Sequence, residues 1–118
     1  MKRKILIAED EFISAMFIKQ ALETAGHQVL KTVSKGEIAI EEALHEKPDV
    51  IIMDINLSGK IKGDEAVKKI YERYNIPVIF ITGYTINKDN PEWEHLNVLA
   101  VFEKPLSMKK IIDLINEI

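Results

Sequence analysis

The chain predicts an open α/β fold, a parallel sheet with helices on both faces. Three observations predict it. Apolar runs at residues 5–8, 50–53, 78–81 and 98–102 have the length and β-branched content of strands buried on both faces. The segments between most of them carry apolar residues at helical spacing. Strand and helix alternate along the chain, and right-handed crossovers turn such units into a parallel sheet.

The first strand spans residues 4–8. A helix follows over about residues 11–25, with Phe17, Ile18, Ala21, Leu22 and Ala25 as its stripe and Gly26 as its stop. Residues 29–33 are more polar and read as an edge strand. Ser34-Lys35-Gly36-Glu37 has the capping-box pattern for a second helix, continued by Ile40, Ala43 and Leu44 and ended by Pro48. The third strand is residues 50–54. A loop with Gly59 and Gly63 leads to a third helix with Val67, Ile70, Tyr71 and Tyr74 inward. Pro77 precedes the fourth strand. Residues 84–96 stand where another helix belongs, yet Asn87, Asp89, Asn90 and Pro91 disfavour one, so a short or distorted element is expected near residues 91–96. After the fifth strand, Ser107 caps a last helix striped by Ile111, Ile112, Leu114, Ile115 and Ile118.

At 118 residues the chain is expected to form a single domain over residues 1–118, with no effector domain. A net charge of -3 argues against a nucleic-acid surface. With no cysteine, disulfides and thiolate metal sites are excluded. No apolar run has membrane-spanning length, and the one after the basic start stops at Glu9, too short for a signal peptide. A cytoplasmic location is expected.

The chemistry-bearing residues fall at strand ends. Glu9 and Asp10 follow the first strand, Asp54 closes the third, Thr82 closes the fourth, and Lys104-Pro105 follow the fifth. Ligands of open α/β sheets bind at the carboxyl ends of the strands. Crowded carboxylates repel one another, and a hard divalent cation relieves this. Asp10 and Asp54 are the expected direct ligands of Mg²⁺, Glu9 acts through water, and the main-chain oxygen of Asn56 completes the set. Asp54 can then attack phosphorus, with Lys104 and the Thr82 hydroxyl meeting the phosphoryl oxygens. Gly83 leaves room for that group.

In this order and spacing, Glu9-Asp10, Ile51-Ile52-Met53-Asp54, Thr82-Gly83 and Lys104-Pro105 resemble the receiver domain of two-component response regulators. The resemblance covers essentially the whole chain. It implies a flavodoxin-like (βα)5 three-layer sandwich with strand order 2-1-3-4-5, and a cis Lys104–Pro105 bond. It implies that Asp54 takes a phosphoryl group from a sensor histidine kinase or histidine phosphotransfer protein, with Mg²⁺ as cofactor and slow hydrolysis afterwards. It implies that the chain is a switch rather than a turnover enzyme, and that it acts on an effector domain or a downstream protein or forms a homodimer. Asn56 and Tyr84 occupy the places that flank the hydrolytic water, and bulky Tyr84 predicts a long-lived phosphoryl state. Val101 stands where the family often has an aromatic switch residue. Phe102 is adjacent but faces the other side of the strand.

Other readings are a receiver-like module that is never phosphorylated and a haloacid-dehalogenase-type phosphatase. The latter wants a carboxylate where this chain has Asn56. A flavodoxin is disfavoured, because Glu9 and Asp10 would repel a cofactor phosphate. Phe12, Ile13 and Met16 read equally as extra core or as a docking patch for kinase helices. Trp93 reads as cover for the fifth strand. His27, His45 and His95 read as surface or boundary residues, and Gly59 and Gly63 as loop punctuation.

Overall fold

A computed structural model describes residues 2–85 and 89–118. Asn87, counted above against a helix, lies outside the described residues. The sheet has five parallel strands in the order β2-β1-β3-β4-β5, with β1 Lys4–Ala8, β2 Gln28–Val33, β3 Val50–Asp54, β4 Val78–Thr82 and β5 Val98–Glu103. This is the flavodoxin-like order. The helices are α1 Phe12–Thr24, α2 Gly36–Glu46, α3 Gly63–Tyr71 and α4 Met108–Asn116. Among the described residues between β4 and β5, the place of a helix is taken by a 3₁₀ turn, Pro91–Trp93, which Asn90 caps by accepting a bond from the Glu92 N–H. The helix-breaking residues there predicted this.

The core has two layers. Beneath α2 and α3 lie Leu6, Ala8, Ile51, Met53, Phe80 and Val101. Beneath α1 and α4 lie Ile5, Ile7, Ile52, Ile79 and Ile81, met by Ile111 of α4. Every residue of β3 and β4 is buried, as strands covered on both faces require. Each buried Ile or Leu contributes about 1.5–3 kcal/mol. Trp93 is buried and packs on Phe80, ring centroids 4.8 Å apart, so it covers the core beside β4 and β5.

Several local expectations hold. Gly26 has φ +95°, and the paired bonds Gly26 N–H to Glu23 O and His27 N–H to Leu22 O close α1 in a Schellman arrangement. The Ser107 hydroxyl accepts from the Lys110 N–H at 3.4 Å.

Others are corrected. The Ser34 capping box does not form: α2 starts one residue later, its N-cap is Lys35, and no side chain caps it. Phe17 is not in the α1 stripe. It is 58% exposed, and the buried face runs through Ala15, Ile18 and Leu22. Phe12, Ile13 and Met16 are exposed as well, which removes the extra-core reading. Tyr74 lies beyond the end of α3 yet still packs on the core, with Lys47 Nζ 4.9 Å from its ring centre. His27 is buried rather than peripheral. Its Nδ1 accepts from the Arg3 N–H at 3.0 Å, and Nε2 pairs with Asn116 Oδ1 at 2.8 Å, which ties α4 to the amino-terminal end of the sheet. No described helix is long and apolar enough to cross a membrane.

Candidate functional site

The parallel topology brings the ends of β1, β3, β4 and β5 to one rim. There a cavity of about 300 Å³ is lined by Asp10, Glu11, Asp54, Asn56, Gly83, Tyr84 and Lys104. Asp54 is the last residue of β3 and is 4% exposed. Its Oδ1 accepts from the Asn56 N–H at 2.9 Å, and its Oδ2 lies 3.3 Å from Lys104 Nζ. One oxygen is thus held by the turn that follows the strand, and the other faces a cation.

Lys104 gathers the acids. Its ammonium donates to Glu9 Oε1 at 2.6 Å and to Glu11 Oε1 at 3.2 Å, besides Asp54. The Glu9 side chain has no exposed area. A carboxylate buried so deeply is tolerable only when paired. Burial is the largest single influence on Lys104 and favours its neutral form. The hydrogen bond to Glu9, the charge of Asp54, the bond to Glu11 and the charge of Glu9 together outweigh it and raise the Lys104 pKa above the ordinary lysine value. The ammonium therefore stays charged at any physiological pH.

Carboxylate oxygens of Glu9, Asp10 and Asp54 all lie within 4.8 Å of one another. Asp10 is oriented by the Ser58 N–H, which donates to Oδ2 at 3.1 Å. An all-oxygen donor set of this kind suits a hard divalent cation.

Thr82 is fully buried, and its hydroxyl donates to Asn56 Oδ1 at 3.0 Å while accepting from the Tyr84 N–H at 3.1 Å. The β3 and β4 ends are joined by this link. Gly83 and Tyr84 line the cavity, Tyr84 with 66% of its surface exposed. The Lys104–Pro105 peptide is cis. Val101 is 6% exposed and lies in the layer under α2 and α3, away from the cavity, while Phe102 packs in the opposite layer. The two do face opposite sides of β5.

Two residues play parts that the sequence did not assign to them. Glu11 is the N-cap residue of α1 but makes no cap hydrogen bond, and its carboxylate goes to Lys104. Its place beside Glu9-Asp10 was the available signal. Gly63, read above as loop punctuation, packs directly on the Asp54 backbone. A Cβ there would overlap the Asp54 carbonyl oxygen and lie 2.8 Å from its carbonyl carbon. Only the fold brings residues 54 and 63 together.

The sequence profile of the response regulator receiver domain matches residues 5–116. The chain belongs to that family. This receiver domain is 29% identical over 118 residues to the polar-differentiation response regulator DivK of Brucella ovis, covering 98% of this chain and 94% of DivK. It is 34% identical over 98 residues to a protein-glutamate methylesterase/protein-glutamine glutaminase of Archaeoglobus fulgidus; the match takes in 83% of the receiver domain but spans only 28% of that protein. Its fold matches the signal receiver domain of a modulated diguanylate cyclase from Desulfovibrio desulfuricans G20 with a TM-score of 0.88 at 27% identity, over 99% of this chain and 93% of the other. The family places it in two-component signalling.

Proposed function

We propose that this receiver domain is a phosphoryl-accepting switch, with Asp54 as the acceptor and a sensor histidine kinase or histidine phosphotransfer protein as the donor. One observation supports this above the others: a buried Asp54 opens on a cavity with its Oδ2 3.3 Å from a permanently charged ammonium. An Asp54 oxygen forms the O–P bond while the P–N bond of the donor phosphohistidine breaks, and the imidazole leaves with that electron pair. Lys104 balances the charge that develops on the phosphoryl oxygens. The Thr82 hydroxyl is engaged with Asn56. To meet a phosphoryl oxygen it gives up that bond, and this exchange is the local event that biases the domain between two packings.

The site fits Mg²⁺. Asp10 and Asp54 would hold it directly and Glu9 through water, since Glu9 Oε1 is already paired with Lys104, and the Asn56 main-chain oxygen would complete the protein's donors. When bound, the cation screens the carboxylates and polarises the phosphoryl oxygens. Asn56 and Tyr84 shape access for the hydrolytic water, and Gly83 leaves space for the phosphoryl group.

The donor docks beside the site. Phe12, Ile13 and Phe17 on α1 are 77%, 82% and 58% exposed. A groove of about 480 Å³ runs from Ile13 and Phe17 to Pro105 and Leu106, bordered by Glu11 and Lys104. An apolar patch touching the reactive rim suits the helices of a phosphodonor. The domain is one unit over residues 1–118, works in the cytoplasm, turns over no substrate beyond slow loss of its own phosphoryl group, and passes its state to an effector domain or a downstream protein.

The test is incubation with acetyl phosphate and Mg²⁺, read by intact mass. Wild type gains one labile phosphoryl group and Asp54→Asn gains none. Equal labelling of both would refute the assignment, and a wild type that never gains mass would favour an interaction module that is not phosphorylated.

A further inference from the structure

Resting on Asp54 as the acceptor, we infer that Glu11 sets phosphodonor specificity: its carboxylate opposes small anionic donors at the mouth of the Asp54 cavity. Glu11 and Lys104 border both that cavity and the apolar groove along α1. Their ion pair, Glu11 Oε1 to Lys104 Nζ at 3.2 Å, therefore stands at the boundary of the two.

A structural role does not account for this pair. The Glu11 side chain is 70% exposed, and ion pairs so open to water stabilise a fold little. Glu11 is the N-cap residue of α1, yet its side chain caps nothing. Lys104 does not need it to stay in place, since buried Glu9 holds the ammonium at 2.6 Å and Asp54 at 3.3 Å. Removing the Glu11 charge thus leaves the rest of the rim standing.

Its effect is on the charge that an incoming donor meets. Among the described residues, Glu9, Asp10, Asp54 and Glu11 bring four carboxylates to the rim against one ammonium. A divalent cation and Lys104 offset three of these charges, and Glu11 is the one left over. It also occupies a face of the cation that is to meet the phosphoryl oxygens. Acetyl phosphate carries about two negative charges near neutral pH, so it is repelled on approach. Phosphoimidazole is repelled less, because its ring nitrogen can take up a proton. A protein donor gains contacts with Ile13, Phe17, Pro105 and Leu106 that offset the repulsion. A basic side chain beside its phosphohistidine would take Glu11 from Lys104. A free small donor has neither means, so specificity comes from a repulsive element beside an attractive one.

The test measures labelling rates of the full chain with Mg²⁺ at fixed pH, read by intact mass. Acetyl phosphate loses acetate as its O–P bond breaks, and phosphoimidazole loses imidazole as its P–N bond breaks. In Glu11→Gln the acetyl phosphate rate should rise, and its ratio to the phosphoimidazole rate should rise by about threefold or more. Added salt should speed acetyl phosphate labelling of wild type more than of Glu11→Gln. Glu11→Asp keeps the charge and should keep the wild-type ratio. Glu23→Gln removes the same charge about 18 Å further along α1, beyond the Debye length of about 8 Å, and should change nothing. If circular dichroism shows that Glu11→Gln disturbs α1, Glu11→Ser supplies a capping hydroxyl and carries the same expectation. An unchanged donor ratio in the neutral variants, or an equal change in Glu23→Gln, would overturn the inference and leave Asp54 as the acceptor. Absence of labelling in every form would bring down the acceptor reading and this inference with it.

Discussion

Replacing Gly63 with Ala is the sharpest probe of how the fold holds its reactive carboxylate. A Cβ at Gly63 overlaps the Asp54 carbonyl oxygen and lies 2.8 Å and 2.9 Å from the Asp54 carbonyl carbon and the Ile55 Cα. All three atoms are backbone, so no side chain can swing away. Carbon–carbon contacts settle at about 3.5–4.0 Å, so either the end of β3 or the start of α3 must shift by roughly an ångström. Overpacking of this kind costs about 1–3 kcal/mol. The larger consequence is kinetic, because a displacement of about 1 Å at a reacting group can cost about 10²-fold. Gly59→Ala is the control. Gly59 has φ +100°, and a methyl group there would meet nothing within 4 Å, so it carries the conformational penalty of about 1–2 kcal/mol without touching Asp54. Urea denaturation gives the stabilities and acetyl phosphate labelling gives the rates. Gly63→Ala should lose both stability and at least tenfold in labelling rate, a conservative fraction of that 10²-fold, and Gly59→Ala only stability. Equal labelling rates for the two variants would refute the reasoning.

Tyr84→Ala opens the rim of the cavity, so the phosphoryl group should be lost several times faster, on the order of 10-fold at most; intact mass followed over time checks this, and an unchanged lifetime contradicts it. Lys104 has a pKa raised above 10.5 in the folded chain. A raised lysine contributes stability that is complete below its unfolded value and is lost only as pH rises through the folded value. An NMR titration of Nζ should therefore find Lys104 still protonated where the exposed lysines have titrated, and a transition at or below 10.5 would contradict the pairing with Glu9, Asp54 and Glu11. His27→Ala removes the bonds to Arg3 and Asn116 at the amino-terminal end of the sheet, the end opposite Asp54. It should cost about 1–3 kcal/mol in urea denaturation and leave the labelling rate unchanged.

Much of the fold was legible in the chain because its signals are local. Continuous apolar runs marked β3 and β4, Gly26 marked the end of α1, and Pro91 with its polar neighbours marked the short element before β5. The errors came where two local signals competed. Phe17 and Ile18 are both large and apolar, and only the angle at which α1 lies on the sheet put Ile18 inside and Phe17 outside. Ser34 carried a capping pattern that α2 bypassed by starting one residue later.

Which residues stand at the strand ends was readable from the chain alone: Glu9, Asp10, Asp54, Thr82 and Lys104 each close or follow an apolar run, and a run's end is a local property. Their partners emerge only on folding. That Lys104 spans Glu9, Glu11 and Asp54, that Thr82 is held by Asn56, that Gly63 braces the Asp54 backbone and that His27 is buried between Arg3 and Asn116 are contacts across 9 to 95 residues of chain. Distances of that kind are set by how strands register and helices pack, which no window of sequence contains.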